Sequence, residues 1–200
     1  MEINIDELQE QLNETKVIEP PKSMKELLDR IFQAGEEWRK ENTKIKEKNG
    51  GIEEIVPLPS TFTVAKELSD LVTFTFITKS NTADNSLLYM YNLDEGIYTA
   101  SNDLFNLLCK TFDVRIKPRE WSQIKLMVRT LTKIKEPLES DNLVPVKNGI
   151  IDLRTKKLLR FNPKYVITSK IATAYNPPKF IPKDREGNTF DDWLSSIACG

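Results

Sequence analysis

Two hundred residues, 39% apolar and 30% charged, suffice for one moderate core or two small ones and are too apolar for wholesale disorder. With no histidine in the chain, Ser-His-Asp triads and imidazole-ligated metals are excluded, since imidazole is the side chain best suited to proton transfer near neutral pH. The net charge of -1 conceals an uneven distribution, because residues 1–60 hold 9 basic and 14 acidic side chains whereas residues 101–183 hold 17 and 7.

In chain order, residues 1–22 lack a sustained apolar period and run into Pro20-Pro21, which predicts a mobile tail with at most a short helix over Ile5–Leu12. Ser23 and Glu26 have capping-box spacing. Met24, Leu27, Leu28, Ile31, Phe32 and Trp38 then recur at helical intervals, an amphipathic helix to about Lys40 within a segment spanning 23–48. Asn49-Gly50-Gly51, Pro57 and Pro59 read as a linker over 49–60. A domain over 61–186 follows. It begins with a helix through Val64, Ala65, Leu68, Leu71 and Val72 and a strand in TFTFIT. Residues 87–91 and 96–100 predict a hairpin around Asn92, Asp94 and Gly96. Ser101 caps a helix through Leu104, Phe105, Leu108 and Phe112, and Pro118 opens another carrying Trp121, Ile124, Val128 and Leu131. Asn148-Gly149 is a strong hairpin signal, with a second turn at Arg154–Lys157. Pro163, Pro177, Pro178 and Pro182 mark an extended strap, and Phe190, Trp193, Leu194 and Ile197 start a helix in 187–200 that leads onward or docks back. The fold class is α/β, of the α+β kind: a helical N-terminal extension, then a small mixed domain of antiparallel hairpins and three to four helices.

The motifs of common enzymes are missing. No glycine precedes lysine in a phosphate loop, and neither a dinucleotide fingerprint nor a nucleophile elbow occurs. Cys109 and Cys199 lie outside any C-x-x-C arrangement and read as ordinary buried thiols, and no metal site is expected. Asp152 reads as a turn residue, for want of a second carboxylate that would make a nuclease centre. No run approaches the roughly 20 apolar residues that span a bilayer, and the acidic N-terminus is unlike a signal peptide, so a cytoplasmic protein without membrane contact is expected.

The surplus of positive charge is the remaining functional signal. Arg115, Lys117, Arg119, Lys125, Arg129, Lys133 and Lys135 lie on or beside the second helix, mostly away from its apolar stripe. A second group, Lys147, Arg154, Lys156, Lys157 and Arg160, sits on the paired hairpins, followed by Phe161, Lys164, Tyr165 and Lys170. Such cations can neutralise phosphates, and Phe161 and Tyr165 are candidates for stacking unpaired bases or, equally, for the core. A lysine-rich solvated surface with no ligand would give the same count. Two helices followed by a basic hairpin also have the outline of a winged helix, although no compact Asn, Gln and Arg trio offers base readout.

The run LLYMYNLDEGIYTASNDLFNLLCK, followed about 35 residues later by LVPVKNGIIDLRTKKLLRFNPKYVITSKIATAYNP, resembles the N-terminal domain of phage and plasmid primase-helicases related to the poxvirus "D-five" protein. The residues that carry it are Tyr89, Tyr91, Gly96 and Tyr98, then Asn148, Gly149, Asp152 and Thr155, then Pro163, Tyr165, Tyr175, Asn176 and Pro177. The first turn is two residues longer than the family pattern. The resemblance covers roughly residues 87–200. It implies a superfamily-three, AAA-type hexameric DNA helicase C-terminal to this segment, with ATP and Mg belonging to that motor and no cofactor in these 200 residues. It further implies replication of a phage, plasmid or genomic island in a bacterial host cell.

The functional expectation is a non-catalytic DNA-binding or assembly domain meeting single-stranded or forked DNA, with self-association through the whole protein and replication proteins as possible partners of the N-terminal helix. The competing expectation is a protein-protein recruitment or oligomerisation collar that binds no DNA.

Overall fold

The computed structural model describes residues 19–48, 51–77, 87–176 and 183–189. The expected helix over 5–12, residues 190–200 of the expected C-terminal helix, and Cys199 lie outside the described residues; Gly187–Thr189 are not helical, Thr189 bridging antiparallel to Lys183. The chain divides into two compact units, one of Met1–Glu139 with Phe161–Ser169 and one of Ser140–Arg160 with Lys170–Gly200, where the sequence reading has a single domain over 61–186.

Four helices of the first unit share one core. Helix α1 (Met24–Asn42) starts where the Ser23 hydroxyl accepts the Glu26 amide at 3.2 Å; the Glu26 carboxylate accepts from Lys22 N–H instead of completing the box on Ser23. Its apolar stripe buries Leu27 and Ile31 in the same cluster as Val64 and Leu68 of α2 (Thr61–Leu71), Leu108 and Phe112 of α3 (Asn102–Phe112), and Ile124 and Val128 of α4 (Pro118–Leu131). The segment expected as an extension is therefore a wall of the core. Gly35 makes this possible: a β-carbon there would overlap the Phe112 carbonyl group.

The expected linker holds structure. Strands β1 (Lys44–Lys48) and β2 (Gly51–Ile55) pair antiparallel, with Lys46 opposite Glu53. In sequence the Asn-Gly dipeptide at 49–50 separates these two strands, KIKEK and GIEEI, and the hairpin signal outweighs the loop composition.

A four-stranded sheet in the order β5-β4-β3-β6 lies beneath the helices, with β3 (Phe74–Ile77), β4 (Leu88–Asn92), β5 (Ile97–Thr99) and β6 (Ile134–Lys135). The hairpin β4–β5 forms as predicted, closed by Gly96 N–H on the Asn92 carbonyl at 2.8 Å. Strand β3 is central, parallel to β6, and so lacks the half-exposed alternation its sequence suggests. Thr75 is fully buried, its hydroxyl donating to the carbonyls of Phe76 and Lys133 at 3.2 and 3.1 Å, which satisfies the one polar side chain on that strand's buried run.

After α4 the chain enters β6 rather than a wing. The basic hairpins form a meander of their own in the second unit: β7 (Leu143–Val146), β8 (Gly149–Asp152) and β9 (Lys157–Leu159). Val146 and Ile150 are its buried side chains. No helix among the described residues is long and apolar enough to cross a membrane.

Candidate nucleic-acid interface

The segments that carry the sequence signature meet one another. Within the first unit, the Tyr98 hydroxyl donates to the Pro163 carbonyl at 2.7 Å, Tyr98 N–H donates to Ile167 O at 2.7 Å, and Leu138 N–H donates to Val166 O at 2.9 Å. Residues 163–167 therefore tie β5 to the chain just beyond β6. Tyr91 meets Tyr98 edge to face, 5.2 Å between centroids, and burial pushes both hydroxyls up to about 12. In the second unit the Asn148 side chain acts as a stand-in for backbone. Its Nδ2 donates to Tyr175 O and its Oδ1 accepts Tyr175 N–H, both at 2.9 Å. The register Val146↔Gly149 makes Lys147-Asn148 the two loop residues, one position earlier than the Asn-Gly reading, because Gly149 is strand residue against Leu159 O, where a β-carbon has no room. Asp152 is a turn residue: its carboxylate accepts Arg154 and Thr155 N–H, and the Thr155 hydroxyl and these amides hold its pKa below the ordinary value. Signature residues here hold backbone together rather than line a reaction centre.

A family model described as "D5 N terminal like" matches residues 9–199. The chain belongs to that D5 N-terminal-like family. The family is the N-terminal domain of D5-like primase-helicase proteins, so the chain is a primase-helicase N-terminal domain of replication type, and the match takes in residues 9–80, which the sequence resemblance leaves unexplained. No curated protein matches the chain.

Seen in this D5 N-terminal-like domain, the cations predicted from sequence fall into two kinds. On the first unit several are committed to the protein itself. Arg115 is anchored on Asp113 at 2.7 Å and donates to the carbonyls of Val56 and Pro57, a structural clasp rather than a phosphate contact. Burial pushes Asp113 upward, but hydrogen bonds from Arg115 outweigh it and hold the carboxyl below the ordinary range. Lys135 lies 5.6 Å from the Tyr98 ring centroid and donates to its hydroxyl at 3.2 Å. Lys164 covers Tyr165 at 4.8 Å, and Phe161 packs its ring on Gly96; both aromatics are half-buried, so neither presents an unobstructed platform for stacking. Lys170 is half-buried in the second unit. Lys117, Arg119 and Lys133 are exposed around α4.

On the meander the cations are exposed. Lys147 in the first loop and Arg160 after β9 share one end of the strands, while Arg154, Lys156 and Lys157 crowd the turn at the other. Lys147, Lys156, Lys157 and Arg160 form no ion pair among the described residues. Lys156 adopts φ 55, a left-handed conformation that costs a non-glycine residue about 1 kcal/mol.

The sequence reading missed a groove between α3 and α4, a cavity of about 750 Å³ that includes Asn102, Asn106, Trp121, Lys125 and Arg129 in its walls. Lys125 donates to Asn102 Oδ1 at 2.7 Å, and burial, then the neighbouring Arg129, lowers its pKa. Arg129 lies over the Phe76 ring at 4.9 Å. The i, i+4 spacing of the two cations was legible; that α3 diverges from α4 beside them was not. Among the described residues no cluster of acidic or thiol side chains could hold a metal, and Cys109 is buried, its thiol pushed up to about 12.

Proposed function

We propose that this domain binds single-stranded or forked DNA and serves as the assembly collar of a hexameric, ATP-driven helicase motor that replicates a phage, plasmid or genomic island. The observation that carries the reading is the cation-rich meander: its two ends, four strand residues apart, display exposed lysine and arginine with no neutralising carboxylate paired to Lys147, Lys156, Lys157 or Arg160. Strands rising about 3.3 Å per residue separate those ends by roughly 10–13 Å, enough to touch two stretches of one phosphate backbone. ATP, Mg and the chemical step belong to the motor in this reading; the domain supplies charge and position, and acts in the cytoplasm of a bacterial host.

The test is fluorescence anisotropy of the chain against single-stranded, duplex and forked DNA at two salt concentrations. Binding should weaken linearly in log salt, and Lys156→Glu with Lys157→Glu should weaken it further. Unchanged curves in the double variant would remove the meander from the interface.

A recruitment collar without DNA contact is the second reading. Leu153 and Leu158, 40% and 37% exposed on the same hairpin, favour it, since apolar side chains beside the β9 strand suit a protein partner. Absence of DNA binding together with self-association in sedimentation would select it.

A further inference from the structure

We propose that the groove between α3 and α4 is a seat for one or two nucleotides of a single DNA strand, with phosphate held by Lys125 and Arg129. The inference rests on the DNA-facing reading and adds a location that neither the charge distribution nor the family provides.

The lining decides between occupants. Among the described residues two cations, Lys125 and Arg129, and no carboxylate line the groove, a balance that favours an anion. Lys125 and Arg129 stand one helical turn apart on α4, and Asn102 fixes the first of them in place. Its partial burial lowers the Lys125 pKa, which a phosphate beside it would restore. The rest of the wall is the mixture a base requires. Phe105 and Trp121 give apolar surface, while the half-buried Asn106 amide and the Ser122 hydroxyl make no side-chain hydrogen bond among the described residues. An asparagine amide offers a donor and an acceptor side by side, the pattern that base edges match. The volume, about 750 Å³, lies in the range of small-ligand sites. An acidic helix is the other candidate, but it would need a row of apolar seats for its i, i+3, i+4 and i+7 anchors. Among the described residues, the exposed large apolar side chains of the lining are two leucines, Leu87 and Leu126. That is too few for such a stripe.

The experiment uses the whole chain and a thymidine pentanucleotide, read by the tryptophan indole N–H signals in nuclear magnetic resonance, with Trp121→Phe identifying the Trp121 peak. The pentanucleotide is expected to shift that peak. Lys125→Gln with Arg129→Gln is expected to weaken binding about tenfold or more and to flatten the salt slope by about 1.4, the share of two single-strand phosphate contacts. Lys125→Gln alone, which leaves Arg129 over Phe76, and Asn106→Leu, which fills the groove, should each weaken binding without changing the thermal midpoint by more than a few degrees. If DNA binds while the Trp121 peak stays still and these variants bind like the parent, the groove is overturned and the meander reading stands. If no DNA binds at all, both fall. If an acidic helical peptide moves the Trp121 peak and the pentanucleotide does not, the groove belongs to a protein partner and the nucleotide seat is overturned.

Discussion

The hydroxyl of Tyr98 on β5 donates to the carbonyl oxygen of Pro163, 65 residues along the chain and 2.7 Å away, and itself accepts from the Lys135 ammonium at 3.2 Å. Removing that hydroxyl strands a half-buried carbonyl. Tyr98→Phe should therefore cost about 1 kcal/mol in urea unfolding and speed amide exchange at Val166 and Ile167. Equal stability of the two proteins would show that the hydroxyl contributes nothing to holding the strap.

The same burial has a pH consequence. Tyr91 and Tyr98 are raised to about 12 in the folded chain, above the ordinary 10, so the stability they contribute is complete below pH 10 and declines as pH rises toward 12. Absorbance titration should show Tyr91 and Tyr98 ionising late, together with loss of structure. Ionisation of Tyr91 and Tyr98 near pH 10 in a folded protein would contradict the burial.

Gly35→Ala should lower stability by roughly 1–2 kcal/mol, although alanine in a helix interior ordinarily gains about 1 kcal/mol over glycine. The sign reverses because the added carbon meets the Phe112 carbonyl of α3. A thermal midpoint at or above that of the parent would show that the two helices stand further apart.

Asp113→Asn should cost about 2 kcal/mol, less than for a fully buried pair because Arg115 is 40% exposed. The carboxyl is held below its ordinary pKa, so its contribution is complete above about pH 4 and is lost as pH falls through the lower, folded value. The difference between parent and variant should shrink in acid unfolding curves taken below pH 4; a constant difference would mean that the clasp does not depend on charge.

Lys156→Gly separates conformation from charge. Relieving the left-handed backbone should raise stability by up to about 1 kcal/mol, while the lost cation should reduce the salt slope of single-strand binding by about 0.7. Stability gained with an unaltered slope would place Lys156 away from the strand.

Local chemistry made the caps at Ser23 and Ser101, the β4–β5 hairpin, Pro118 at the head of α4 and the α+β class readable from sequence. Each depends on residues within a turn of one another. What stayed hidden depends on partners far along the chain. The burial of Thr75 follows from β6 arriving alongside β3, and the commitment of Arg115 follows from Val56 and Pro57 lying beside it. Composition argued for a linker at 49–60 because Asn49-Gly50-Gly51, Pro57 and Pro59 punctuate it, yet cross-strand pairing such as Lys46 with Glu53 suits a two-stranded hairpin. For the interface, sequence found the cations but could not separate those already held by Tyr98, Tyr165 or Asp113 from those left open on the meander.

The chain leaves the first unit at Glu139 and re-enters it at Phe161, and this interruption sets an order of events on the ribosome. Strand β6 emerges at residue 134, but the Tyr98 amide finds its acceptor only when Ile167 appears. At 5–20 residues per second those intervening residues take roughly 2–6 s to synthesise. During that interval the outer edge of β5 faces water, and the meander has time to close on itself before the strap seals the sheet.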